Sequence, residues 1–160
     1  MTDAAKKSFE IRTARDFLDE LLRPAHADFM KDPLSSRKAI GCAIFAWHLR
    51  DWVWAQYKTE LHTELGLRKR ADLDHLLFAA CPEFEIIQEL ANGSKHFKGE
   101  GSAVAGTELA HGYASGLLLV FTQSHLIVKT GTTSQFAENL LTKVLSHWDD
   151  FFAQYLAPHA

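Results

Sequence analysis

The chain has 160 residues, 47% of them hydrophobic, and a formal net charge of −3 with neutral histidines. This length favours a single domain whose core can fold without a disulfide or a structural metal, and the composition excludes extensive disorder. The acidic balance gives no support for broad nucleic-acid binding, but it leaves a local basic patch open.

Two features of the sequence predict a cytoplasmic protein without a membrane anchor. The first residues, MTDAAKKSFEIRTARDF, alternate charged and apolar side chains, which is unlike a secretory signal. The apolar run Leu117–Phe121 is far too short to span a bilayer.

The first predicted helix runs from about Thr13 to Met30. Pro24 lies within it, where a proline removes a backbone donor and its ring clashes with the preceding turn. We therefore expect a kink or a break near Arg23.

The strongest helical pattern follows, from Arg37 to about Glu60. Apolar side chains recur along it at helical spacing, and Gly41 is its only glycine. Ser35 or Ser36 can cap its first turn. At 1.5 Å per residue this helix is about 36 Å long, which predicts the central column of a helical bundle.

Two shorter helices are predicted next. The first is the segment DLDHLLFAA, and the second begins at Cys81 and Pro82, because a proline suits a first helical turn. Gly93 allows the second of these helices to end or the backbone to bend. The inward face of that helix is expected to consist of Phe84, Ile87, Leu90 and Ala91.

The pattern changes after residue 98, where glycine and small side chains dominate. The segment LLLVFTQSHLIVKTG then has two β-branched or aromatic runs around a polar turn. We expect strands near 117–122 and 126–130, with a third around 103–111.

The last predicted helix begins at the segment TTSQ, where Thr132 and Gln135 fit a capping box. Its core-facing side is expected to consist of Phe136, Leu140, Val144, Trp148, Phe151 and Tyr155. The predicted fold is therefore mainly α: one domain, residues 1–160, formed by a four- to five-helix bundle with a small β-hairpin or meander inserted before the last helix.

The segment CPEFEIIQELANGSKHF contains the first candidate site. On a helix, Glu85, Glu89, Asn92 and His96 lie on one polar stripe, and Lys95 flanks it. In one interpretation Asn92, Lys95 and His96 bind a ligand. In the other they only end the helix, with Lys95 and His96 beside its last carbonyls.

The second candidate site lies in the segment AWHLRDWVW. His48 and Asp51, three residues apart, share a helix face, and a carboxylate beside an imidazole fixes its tautomer and suits a general base. The alternative is a structural histidine satisfied by its aspartate. Arg50 is expected on another face, either exposed or paired with an acid.

The two candidate sites can meet if neighbouring helices bring them together. His48, Asp51 and His96 then supply either catalytic groups or three ligands for a metal. Without a metal, a cluster that also contains Asn92 and Lys95 suits a phosphodiester, since lysine stabilises charge and histidine moves protons.

The two cysteines match no metal-binding spacing. Cys42 lies in an apolar helical run and is expected in the core. Cys81 precedes a helix N-terminus, which can lower the pKa of a thiol. The alternative for Cys81 is a cap residue in a buried turn.

The segment RADLDH has an arginine, Arg70, followed after four residues by a histidine, His75. A helical bundle with this pattern resembles the HEPN domains, which are nucleotide-binding and RNA-cleaving helical modules of prokaryotic defence and toxin systems. The segment ELANGSKHF is also similar to endings in uncharacterised bacterial helical proteins. The resemblance implies a nucleotide or RNA ligand and ribonuclease activity.

Three functions are open at this point. The first is a small helical module that binds a polar ligand, nucleotide or RNA, with His48, Asp51 and His96 as catalytic residues. The alternative is a non-catalytic module for protein interaction or dimerisation, because apolar strands need a cover; a homo-oligomer is expected. The third is a metal-dependent hydrolase. The sequence does not identify a cofactor.

Overall fold

The computed structural model describes residues 9–93, 104–113, 122–131 and 133–156. These residues form a mainly helical structure with one small antiparallel sheet before the last helix. The predicted fold class is therefore confirmed. Within the described residues, no helix combines the length and the hydrophobicity needed to cross a membrane.

The first helix continues through Pro24 instead of breaking. It consists of α1 (Ala14–Asp16), a π-helical turn (Phe17–Leu22) and α2 (Arg23–Lys31). The backbone N–H of Arg23 donates to the carbonyl oxygen of Leu18, one residue beyond the usual helical partner. The irregularity expected near Arg23 is thus a π-helical turn, and the predicted break is wrong.

Three further helices occupy the first part of the chain. They are α3 (Ser36–Leu65), α4 (Arg70–Ala80) and α5 (Glu83–Gly93). The hydroxyl of Ser35 accepts a hydrogen bond from the backbone N–H of Lys38, which confirms one of the two predicted caps. Tyr57 has non-helical backbone angles inside α3, so the long helix is kinked there. It ends at Gly66, whose φ of 68° is left-handed.

The sheet lies between α5 and the last helix, α6 (Ala137–Tyr155). Its strands are β1 (Val104–Tyr113), β2 (Thr122–Thr130) and β3 (Thr133–Phe136), in the order β1-β2-β3 with antiparallel neighbours. The third strand expected around 103–111 is confirmed as β1. The strand expected near 117–122 lies outside the described residues except for its last position. The polar turn expected before 126 is wrong, because β2 runs through it.

The start of the last helix differs from the prediction. Gln135 belongs to β3, and α6 begins after Phe136 without a side-chain cap, so the predicted capping box is wrong. Phe136 is 40% exposed and does not belong to the core. Its ring stacks instead on His125, with the ring centroids 4.3 Å apart. Gln135, which was expected in the capping box, pairs with Val128 of β2 instead.

The core forms where α6 and α5 pack on α3, which also contacts α1, α2 and α4. The predicted central position of the long helix is therefore confirmed. Trp148 of α6 is fully buried and meets Phe84 of α5 edge to face. Burying a large apolar side chain of this kind stabilises the fold by about 1.5–3 kcal/mol.

Candidate functional site

Helices α3 and α4 pack side by side in antiparallel orientation. Three pairs of side chains join them. The pairs are Trp47 with Phe78 (ring centroids 5.9 Å apart), Arg50 with Asp74 (3.1 Å) and Asp51 with Arg70 (2.8 Å). On α4 the three partners are spaced four residues apart, which places them on one helix face. One apolar contact and two ion pairs therefore align the two helices, and we call these residues the α3–α4 ladder.

Arg50 is the buried charged residue of the ladder. Its side chain is 8% exposed, and its guanidinium carbon lies 3.9 Å from the ring centroid of Trp47. Nη1 donates to Asp74, and Nη2 donates to Asp51. Nε is buried without a hydrogen-bond partner within the described part of the chain. The expected pairing with an acid is confirmed, whereas the alternative of an exposed Arg50 is wrong.

Asp51 holds three partners with its two carboxylate oxygens. Oδ1 accepts from Arg50 at 3.0 Å and from Arg70 at 2.8 Å, while Oδ2 lies 3.4 Å from Nδ1 of His48. At 3.4 Å, the contact with His48 is longer than a short hydrogen bond. The predicted pairing of His48 with Asp51 is confirmed. Both side chains are about one-third exposed, at 34% and 32%, so they lie at the boundary with solvent.

The orientation of Asp51 defines what His48 can do chemically. A carboxylate beside Nδ1 favours the neutral tautomer that carries its proton there. The lone pair of the other ring nitrogen, Nε2, is then available to accept a proton from a substrate. This is the arrangement of a general base, and Arg70, 54% exposed, adds a positive charge beside it.

The start of α4 carries three consecutive basic residues, Arg68, Lys69 and Arg70, and all three are exposed. The carboxylate of Asp72 accepts the backbone N–H groups of Arg68 and Lys69, and these bonds hold the pKa of Asp72 below its ordinary value. Two backbone donors just before α4 are thus engaged by the chain's own acid. The side chains of the three basic residues are exposed to an anion.

Arg70 and His75, which carry the resemblance to HEPN domains, lie on the same helix but on different sides of it. Arg70 faces Asp51, whereas His75 is exposed. Five residues at about 100° per residue separate the two directions by about 140° around the axis. The group nearest to Arg70 is therefore the His48–Asp51 pair rather than His75.

The polar stripe of α5 is described only in part. Glu85 and Asn92 are exposed on α5, which packs against α3, but Lys95 and His96 lie outside the described residues. Within the described residues, no hydrogen bond or ion pair joins Asn92 to the His48–Asp51 pair. The convergence of His96 with His48 and Asp51 therefore stays a prediction.

A metal site is not formed by the part of the chain that the structure describes. No group of three or more histidine, cysteine, aspartate or glutamate side chains there could hold a metal ion. The three-ligand site of His48, Asp51 and His96 includes a residue outside this part and stays a prediction.

The two cysteines are unsuited to nucleophilic chemistry. Burial raises the pKa of Cys81 to about 11, and the hydrogen bond from its thiol to Glu83 adds to this effect. Burial also raises the pKa of Cys42 to about 12. The lowered pKa considered for Cys81 is therefore wrong, because loss of solvent outweighs the adjacent helix terminus.

No family model matches the sequence, and no curated protein and no solved structure matches it either. The resemblance to HEPN domains stays a prediction.

Proposed function

We propose that the chain is a small helical module that binds RNA or a nucleotide at the exposed side of the α3–α4 ladder and cleaves RNA as an HEPN-like ribonuclease, in a bacterial defence or toxin context. The observation that carries the proposal is that His48 and Arg70 both contact the carboxylate of Asp51 at the solvent boundary. It combines a base, the group that orients the base, and a cation.

Each of these groups has a role in RNA cleavage. Nε2 of His48 takes the proton of a ribose 2′-hydroxyl while that oxygen attacks the adjacent phosphorus. Asp51 keeps the imidazole in the tautomer that this step needs, and Arg70 stabilises the negative charge that develops on the phosphate oxygens. His96 gives a proton to the leaving 5′-oxygen in this proposal, and Asn92 and Lys95 contact the ligand.

The local charge supports an anionic ligand although the whole chain is acidic. Arg68 and Lys69 are exposed beside Arg70, so three basic side chains lie together at the start of α4. Phosphate contacts of this kind weaken as salt displaces them, and each phosphate neutralised adds roughly 0.7 to the logarithmic salt slope for a single strand.

Binding and cleavage of a 5′-labelled single-stranded RNA oligomer test the proposal, by fluorescence anisotropy and gel electrophoresis. His48→Asn should keep binding and reduce cleavage by about a hundredfold or more. Arg70→Ala should weaken both and lower the salt slope. Arg37→Ala is the matched control, since Arg37 is exposed on α3 about 20 Å along the helix from residue 50. Equal behaviour of the Arg37 and Arg70 variants would contradict the proposal.

An interaction or dimerisation module is the second candidate, and a different region supports it. A pocket of about 640 Å³ lies beside the π-helical turn, with mainly apolar walls. Its lining residues are Phe9, Glu10, Ile11, Glu20, Leu21 and Trp52. Apolar surface of this kind is typical of binding grooves. Light scattering over a range of concentrations tests for the homo-oligomer, and Trp52→Ala should weaken it, whereas a monomer at all concentrations speaks against self-association.

A further inference from the structure

We propose that Arg50 is a positioning residue: it holds Oδ1 of Asp51 so that the other carboxylate oxygen stays against Nδ1 of His48. The inference rests on the proposed function of the His48–Asp51 pair. It gives a role to Arg50, whose side chain is buried.

Arg50 is fixed from three directions. The ring of Trp47 covers one face of its guanidinium, Asp74 takes Nη1, and Asp51 takes Nη2. Trp47 is itself held by stacking on Phe78, with the ring planes 7° apart. The planar fork of an arginine transmits this fixed orientation to Asp51, which a flexible lysine does not do.

The energetics favour orientation over stability as the reason for a buried arginine here. Its Nε is buried without a partner in the described residues, and an unsatisfied buried donor destabilises a fold. Buried ion pairs are often no more stabilising than apolar side chains of the same volume. Apolar residues at positions 50 and 74 would therefore join the two helices at least as well, but they would leave Asp51 unrestrained from the inner side.

The two arginines on Asp51 have different tasks. Arg70 is 54% exposed and donates to Asp51 through Nη1 at the surface, so a phosphate can compete for it. Arg50 is buried and keeps its contact with Asp51 when Arg70 exchanges Asp51 for a ligand. The carboxylate then stays oriented during the step in which His48 acts.

The tautomer of His48 tests this inference without any substrate. In wild-type protein, long-range ¹⁵N–¹H spectra recorded at about pH 8 should show the Nδ1–H tautomer of His48. In Arg50→Lys and in the double variant Arg50→Met/Asp74→Leu, the Nε2–H tautomer should rise about threefold or more. The double variant leaves no unpaired acid at position 74, so it folds even where a single replacement does not.

Leu77→Ala is the matched control. Leu77 is fully buried on α4, so this variant loosens the packing of α4 without removing a charged side chain, and its His48 tautomer should equal that of wild type. The inference is overturned if the folded Arg50 variants keep the wild-type tautomer, or if Leu77→Ala changes it as much as they do. Absence of RNA cleavage in wild-type protein would contradict the proposed function but would leave the tautomer result standing.

Discussion

The indole Nε1 of Trp148 donates a hydrogen bond of 3.0 Å to the backbone carbonyl of Ala46, and so joins the last helix to the middle of α3. Residues 46 and 148 are 102 positions apart, and Trp148 is fully buried. The contact connects two distant segments of the chain across the core, and the aromatic rings of Phe84, Phe151 and Phe152 surround the same indole.

Trp148→Phe should lower the free energy of unfolding by about 2–4 kcal/mol, because it removes the buried donor and leaves a void beside it. Urea denaturation followed by circular dichroism measures the change. Trp54→Phe is the matched control: Trp54 is only partly buried, and its replacement should cost less than about 1 kcal/mol. Equal losses at the two positions would show that the hydrogen bond to Ala46 contributes nothing.

The two arginines of the α3–α4 ladder should differ sharply in their effect on stability. Arg50→Met leaves Asp74 without its cation in a largely buried place, so we expect a loss of about 3 kcal/mol. Arg70→Met removes an exposed ion pair and should cost less than about 1 kcal/mol. The same substitution at both positions makes the comparison direct in urea denaturation. A larger effect at Arg70 would mean that the surface ion pair, not the buried one, holds α4 in place.

Two glycines should respond to alanine in opposite directions. Gly66 ends α3 with a φ of 68°, where an alanine side chain is strained, so Gly66→Ala should destabilise the fold by about 1 kcal/mol. Gly41 lies inside α3, and a Cβ added there meets nothing within 4 Å. Gly41→Ala should therefore stabilise by up to about 1 kcal/mol through helix propensity. Thermal unfolding separates the two, and a stabilised Gly66→Ala would contradict the left-handed conformation.

The helices could be predicted from the sequence because their signals are local. The cap at Ser35 and the apolar face of α5 each lie within a few residues of the structure that they specify. The junction of sheet and last helix could not be predicted in the same way. The residues of TTSQ suit a helix cap locally, but residues 133–136 pair with β2, and such pairing depends on a partner strand.

In the candidate site, too, local contacts could be predicted and contacts between helices could not. The contact of His48 with Asp51 follows from a spacing of three residues on one helix, and it could be predicted. The burial of Arg50 could not, because Asp74, its second partner, lies 24 residues away on α4. Only the register of α3 against α4 makes Arg50 an inner residue. Its neighbours Trp47 and Asp51 gave no local sign of this.

Two partly buried histidines should make the fold less stable in weak acid. Burial lowers the pKa of His147 below its ordinary value of 6.5, with the nearby carboxylate of Asp150 acting in the opposite direction, and burial also lowers the pKa of His26. An unfolded histidine keeps its ordinary pKa, so below about pH 6.5 the unfolded chain binds more protons than the folded one. The stability present above that pH is therefore lost as the pH falls through 6.5 towards the lower folded values.

The free energy of unfolding should thus decrease between about pH 7 and about pH 5, and the decrease should be smaller in His147→Gln. The aspartates Asp16 and Asp72 titrate below this pH range. Hydrogen bonds from backbone N–H groups lower the pKa of both below 3.8, so their contribution to the free energy of unfolding is lost only in stronger acid. Ser146→Ala, an exposed neighbouring change without a titratable group, should keep the wild-type slope. Urea denaturation at several pH values measures all three proteins. The free energy of unfolding of His147→Gln could instead fall with pH as steeply as that of wild type. The ring of His147 is then not desolvated against Phe84, and its contact with that residue is weaker than the centroid distance of 5.5 Å indicates.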